Sequence, residues 1–397
     1  MQTPTPAQIQ HLFREAIALL QRLIATPSFS REEDKTADIL VSFFQQNNIP
    51  AGRFGNNVWA QNQHFNPEKP TILLNSHHDT VRPNMGYTRD PFSATIENER
   101  VQKSVAHLNL IMEDQLFIKG VPHLTEHSIE NGKLYGLGSN DAGGCLVSLL
   151  AAFQWFYEEE NLPFNLVFVA SAEEEISGKN GLEALLPLLP PIDCGIVGEP
   201  TQLQLAVAEK GLMVLDCQAI GKAGHAAREE GENAIYAALA DIEWFRTFQF
   251  PRPSPWLERV KMSVTVIETP NKAHNVVPDE CHFVVDVRLT DAYTSSEILA
   301  TIQQNVRCAV TPRSLRLRAT AIPLEHPLVQ AGIALGKIPY GSPTLSDKAL
   351  MPFPALKVGP GDSARSHSAD EFIYVAEIRE AIELYIRLLF SIRFRGV

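Results

Sequence analysis

The sequence predicts an α/β fold in which a domain built on a largely parallel sheet is interrupted by a smaller inserted α+β domain. Three observations predict it. Short apolar runs alternate with apolar helical stretches up to about residue 210, the order of elements changes near residue 211, and the first pattern returns from about residue 320. The runs are TILLNS at 71–76, LVFVAS at 166–171 and CGIVGE at 194–199, with CLVSLLAAFQWF and GLEALLPLL between them. A strand covered on both faces shows no polar side, so unbroken apolar runs alternating with helices indicate a buried parallel sheet.

The elements follow in order. Thr5-Pro6 reads as an N-cap with proline at the first helical position, and Leu12, Phe13, Ala16, Ile17, Leu20, Leu23 and Ile24 recur at helical spacing. A second helix is expected from Ser30, with Glu33 completing a capping box ahead of Ile39, Leu40, Phe43 and Phe44. Past residue 211 come a strand LMVLDCQAI, a helix from about Ala226 to Phe250, strands KMSVTVIE and CHFVVDVRL, a helix from about Ser295, and a strand SLRLRATAI. That β-α-β-β-α-β order is ferredoxin-like. The chain closes in a helix near 369–390. The expected domains are therefore 1–210 with 320–397, and 211–319 between them.

With 34 Lys+Arg against 46 Asp+Glu, the chain carries a formal charge of −12. Nucleic-acid binding by counterion release needs a basic face, so the acidic balance counts against that class. The five cysteines are scattered with no CxxC pair, the N-terminus has no signal-peptide pattern, and no apolar run reaches the ~20 residues of a membrane span. A cytoplasmic protein with no membrane partner is expected.

Acidic and imidazole residues gather at the carboxyl ends of the expected strands, where ligands bind in parallel sheets. His77 and Asp79 follow the first run, Asp141 follows the turn YGLGSN, Glu173 and Glu174 (with Glu175) end VFVASAEEE, Glu199 ends GIVGE, and His367 lies in GPGDSARSHSADE. Singly, each has a plainer reading as a capped turn, a solvated loop or a helix cap. GLGSNDAGG lacks both the GxGxxG pattern and the phosphate-loop lysine, so the nucleotide reading is weak. Jointly, clustered carboxylates repel one another unless a cation compensates them. Mixed nitrogen and oxygen donors suit zinc or cobalt. They outnumber what one ion needs, which points to two ions sharing a carboxylate, with another carboxylate left as general base.

The blocks HHDTV, NGKLYGLGSND, ASAEEEISGKNGLEAL, GEPT, GKAGHAA and GPGDSARSHSADEFI, in this order, resemble the signatures of the acetylornithine deacetylase / succinyl-diaminopimelate desuccinylase family. The resemblance implies a zinc-peptidase-like catalytic domain (1–210 and 320–397) with an inserted dimerisation or lid domain (211–319). It implies two divalent ions, zinc or cobalt, with Asp141 bridging, His77 and Glu199 completing one site, and Glu174 and His367 the other. Asp79 would orient His77, Glu173 would be the general base, and His225 in GKAGHAA would steady the oxyanion in the partner subunit's site. Asn275, Arg288 and Gly359 match positions tied to substrate binding. The implied reaction is hydrolysis of an N-acyl amino acid, first of all N-acetylornithine in arginine biosynthesis. N-acetyl- or N-succinylcitrulline, succinyl-diaminopimelate and dipeptides are alternatives, as is a non-catalytic metal-binding relative. A homodimer is expected through the inserted domain, by the strand LMVLDCQAI or its neighbouring helix. An excess segment near 99–129, with His107, His123 and His127 expected to face solvent, departs from the family pattern.

Overall fold

The computed structural model describes residues 3–98, 132–228 and 230–394; the excess segment at 99–129 with its histidines lies outside the described residues. The chain forms two compact units. One comprises Met1–Leu205, Pro323–Pro339 and Met351–Val397, the other Ala206–Ile322 and Tyr340–Leu350. The second unit thus also takes a short piece from beyond residue 320.

In the first unit the strands lie in the order Gly52–Phe54, Asn57–Gln61, Asn165–Ser171, Thr71–His77, Cys194–Val197 and Ala355–Lys357. From Asn165–Ser171 onward the pairing is parallel. Every residue of Thr71–His77, Asn165–Ser171 and Cys194–Val197 is buried, which is why these runs carry no polar alternation. Leu73, Val167, Val169 and Val197 pack on one face with Leu182 and Leu185. On the other, Phe168 meets Phe44 and Phe153. The helix Gly144–Phe156 is apolar nearly all round and packs between Pro6–Ile24 and Val375–Ser391. Thr5 and Gln8 close a capping box on the first helix. Among the described residues no helix is long and apolar enough to cross a membrane.

The second helix departs from expectation. It begins at Asp34 with no side-chain cap. The Ser30 hydroxyl instead donates to Asp79 Oδ2 at 2.7 Å, and the Glu33 carboxylate accepts the Arg31, Glu173 and Asn56 N–H groups. Both side chains are committed to partners outside the helix terminus.

The second unit contains a four-stranded antiparallel sheet in the order Lys261–Glu268, Glu280–Leu289, Gly211–Ile220, Ala309–Pro312. With helices Ala234–Thr247 and Ser295–Asn305, this is the ferredoxin-like arrangement. Burial alternates strictly along Glu280–Leu289, so one face holds the core and the other is open. Three details differ from the sequence reading. The first of these helices starts at Ala234, capped by Asn233, because Gly224–His225 is already committed to a ladder with Val276–Val277. The last strand is Ala309–Pro312, where Val310 reaches the core; of SLRLRATAI only Thr320–Ala321 pairs, with Ala208 and Glu209. Finally, Gly211–Ile220 has neighbours on both sides, so it offers no edge for dimerisation.

Candidate metal centre

The register of the parallel strands builds the site. Asn75 lies beside Val197 and His77 beside Ser171, so the residues that follow each strand emerge together at one end of the sheet. Asp141 sits on the turn before the helix Gly144–Phe156. Gly138 in that turn has φ +77 and no room for a Cβ, which would strike Thr80, so glycine is required there. His367 follows the short turn Ser363–Arg365.

His77 Nδ1 lies 2.9 Å from the Asp79 carbonyl oxygen and 3.4 Å from Asp79 Oδ1. Its Nε2 faces Asp141 Oδ1 at 3.3 Å, Glu199 Oε1 at 3.8 Å and Glu174 Oε2 at 3.9 Å. His367 Nε2 faces Asp141 Oδ2 at 3.6 Å and Glu175 Oε2 at 3.0 Å. The two oxygens of Asp141 thus address two different imidazoles. Two donor groups, His77 with Asp141 and Glu175, and His77 with Glu174 and Glu199, each lie within 4.8 Å. Imidazole nitrogens and carboxylate oxygens gathered this closely fit divalent ions of the zinc and cobalt kind.

In the acid turn the contacts differ from two sequence assignments. Glu173 adopts φ 56, and its carboxylate accepts the Asn180 side-chain N–H at 2.9 Å and backbone N–H at 3.3 Å. It is anchored within its own loop by Asn180. Glu175, rather than Glu174, meets His367, while Glu174 faces His77. The cause is the left-handed residue at the strand end, which breaks the two-residue alternation and turns the next two carboxyls inward. Buried carboxylates take all three backbone N–H groups of this turn. Glu173 N donates to Glu33, Glu174 N to Asp79 Oδ1 and Glu175 N to Asp79 Oδ2. Asp79 therefore orients both His77 and the acid turn.

The crowding shows in the proton affinities. Burial pushes Glu199 up to about 8, with the charge of Asp141 adding to it, and Glu371 also rises to about 8 through burial and Asp141. Burial likewise raises Glu175. His367 is raised to about 9 by its contact with Glu175. For His77, burial opposes the charge, yet contacts with Asp141 and Asp79 outweigh it and lift the imidazole well above 6.5. Next to it, burial lowers His78 to about 4, so it stays neutral between Thr36 Oγ1 and the Asn56 carbonyl, each at 2.9 Å.

The remaining candidates divide by unit. In the first, Gly359 is buried, and a Cβ there would meet the Glu199 backbone and Cys145 Sγ, so the glycine lets the chain pass directly behind Glu199. In the second, the Gly224–His225 ladder brings His225 beside the exposed Asn275, whose carbonyl accepts the Ala226 N–H at 2.9 Å. His225 Nδ1 accepts the Ala227 N–H, so in the neutral ring the proton is on Nε2. Arg288 lies on the open sheet face in a bidentate pair with Asp286. Sequence reasoning missed the bracing acids Glu33 and Glu371. Glu33 carried a misleading helix-cap signal, and Glu371, deep in the fold, carried none.

Imidazoles and carboxylates converging at the carboxyl ends of a parallel sheet, with a ferredoxin-like second unit, define a metal-dependent hydrolase. The chain belongs to peptidase family M20/M25/M40, matched over residues 114–391. It is 26% identical to an acetylornithine deacetylase of Pectobacterium atrosepticum, over 94% of this chain and 96% of that one. To a succinyl-diaminopimelate desuccinylase of a Caulobacter species it is 24% identical, over 98% of each. Among solved structures, the metallo-carboxypeptidase Sso-CP2 of Sulfolobus solfataricus superposes with TM-score 0.68 at 17% identity, over 95% of this chain and 99% of that one. The YXEP protein of Bacillus subtilis, described as a dinuclear metal-binding peptidase, gives 0.63 at 13%, over 96% and 98%.

Proposed function

We propose that the protein hydrolyses the amide bond of an N-acyl amino acid, N-acetylornithine first, as a cytoplasmic enzyme of arginine biosynthesis. The observation that carries the two-ion reading is Asp141, whose two oxygens face two imidazoles that each have a further carboxylate beside them. His77, Asp141 and Glu199 would hold one zinc or cobalt ion, and Asp141, Glu175 and His367 the other. Such ions supply Lewis acidity, polarising the scissile carbonyl and acidifying water. Glu174 is the general base. It is aimed into the cluster by the Asp79 contact to its N–H, takes the proton from the attacking water and returns it to the leaving amine. His225, with Nε2–H pointing away from its own turn, donates to the developing oxyanion. Arg288 and Asn275 bind the substrate carboxylate, Arg288 exchanging Asp286 for it.

The test is metal-reconstituted enzyme assayed against N-acetyl and N-succinyl forms of ornithine, citrulline and diaminopimelate, with dipeptides alongside. Cleavage of N-acetylornithine above the rest is expected. Cleavage of dipeptides alone would move the assignment to a peptidase.

The homodimer belongs to the same reading. The outer strand Lys261–Glu268 has an open edge, and Val266 and Ile267 are 47% and 51% exposed. Tyr236 and Leu239 are exposed on the helix of the same unit. An apolar open edge is a template for pairing, here with a second copy across a two-fold axis. Val266→Asp with Ile267→Lys is expected to give a monomer by light scattering, with activity reduced because His225 no longer reaches a partner. A wild-type monomer of full activity sinks both ideas.

A further inference from the structure

We infer that Glu371 is a positioning residue that pre-forms the ion pair by locking the loop of Asp141 to the segment of His367; this rests on the two-ion reading above. Glu371 lies four residues past His367 and is 2% exposed. Its Oε1 accepts the backbone N–H groups of Asn140 and Asp141, both at 2.9 Å, and its Oε2 accepts that of Gly138 at 3.2 Å. Its own carbonyl accepts Gly136 N–H at 2.9 Å. Directly after it, Phe372–Tyr374 pairs with Lys133–Tyr135.

The locking continues on the other side of His367. Asn140 Nδ2 donates to the Asp362 carbonyl at 3.1 Å and to Ser366 Oγ at 3.3 Å, and Asp362 N donates back to Asn140 Oδ1 at 3.0 Å. The backbone carrying Asp141 and the backbone carrying His367 are therefore stitched together before and after the imidazole.

The chemistry explains why a carboxylate stands here. Left-handed Gly138 turns the amides of 138, 140 and 141 toward one point, making a small cradle of converging N–H dipoles. Buried N–H groups left without an acceptor are costly. The two oxygens of one carboxyl group accept all three. It thereby sets the backbone from which Asp141 projects, and the same residue's chain carries His367. Metal ligands tolerate only small displacements, and losing the groups that orient them typically weakens binding about 10–100-fold.

The test compares wild type, Glu371→Gln and Glu371→Ala as full chains. Zinc affinity is measured by competition with a chromogenic chelator, and amide exchange of residues 136–141 is measured on zinc-free protein. Glu371→Ala is expected to bind zinc 10–100-fold more weakly, with faster exchange at 138, 140 and 141. Glu371→Gln keeps an acceptor for two amides but turns an N–H toward Gly138, so its loss is expected to be smaller than that of Glu371→Ala. Zinc affinity of both variants equal to wild type overturns the proposal, even if exchange rises, because the role would then be structural only. A wild type that takes no zinc overturns the two-ion reading instead.

Discussion

Glu174→Gln is expected to lose turnover by about 10²–10⁴-fold while keeping KM and both ions, because it removes only the group that moves the proton. Glu173→Gln is expected to retain most activity. Its carboxylate is bound by Asn180, and an amide in the same place loses part of that loop anchor but nothing at the cluster. Glu175→Gln differs from both, since it disturbs the contact to His367 and should release metal. Three adjacent acids thus give three separable outcomes, read from kcat, KM and bound zinc by elemental analysis. If Glu173→Gln were the inactive, metal-replete variant, the assignment of the turn would be wrong.

Chelation is expected to abolish activity and to make stability fall as pH rises. The sign follows from the proton affinities. His367 is raised to about 9 from 6.5, so the folded form holds a proton there that the unfolded chain has released above pH 6.5. Glu199 and Glu371, raised to about 8, also hold protons that unfolded carboxyls lose near 4.5. Where the folded state binds more protons, stability decreases with pH. The metal-stripped protein should therefore lose melting temperature between about pH 6.5 and 9. Below pH 6.5, neutral His78 works the other way, which makes the upper window the clean one. Metal binding needs deprotonated ligands and stabilises only the folded chain, so zinc should raise Tm more at pH 8.5 than at pH 6.5. A stripped protein whose Tm is flat over that window, or zinc that adds nothing, would contradict the acid-crowded site.

Much of the site was legible because its residues follow apolar runs whose ends are easy to find. His77 and Glu199 emerge together because their strands run parallel in register, and Asp141 and His367 join them from turns whose sequence blocks stand out. The acid turn was less legible. Spacing alone cannot tell which of Glu173, Glu174 and Glu175 turns inward, since that depends on the left-handed conformation at Glu173 and on which carboxylates receive the turn's N–H groups. Glu33 shows the same limit from the other side. Its spacing from Ser30 satisfies a local capping rule, yet both side chains find partners far away in sequence.

Periodicity and composition encode the parallel sheet and the ferredoxin-like order, and the sequence blocks carry the family. These depend on local patterns and on a register that burial enforces. Only the folded chain shows which carboxyls of the acid turn face His77 and His367, that Lys261–Glu268 is the outer strand of its sheet, and that Glu371 backs the Asp141 loop. Each turns on contacts between residues distant in the chain, or on a single backbone dihedral, and neither leaves a periodic trace in the sequence.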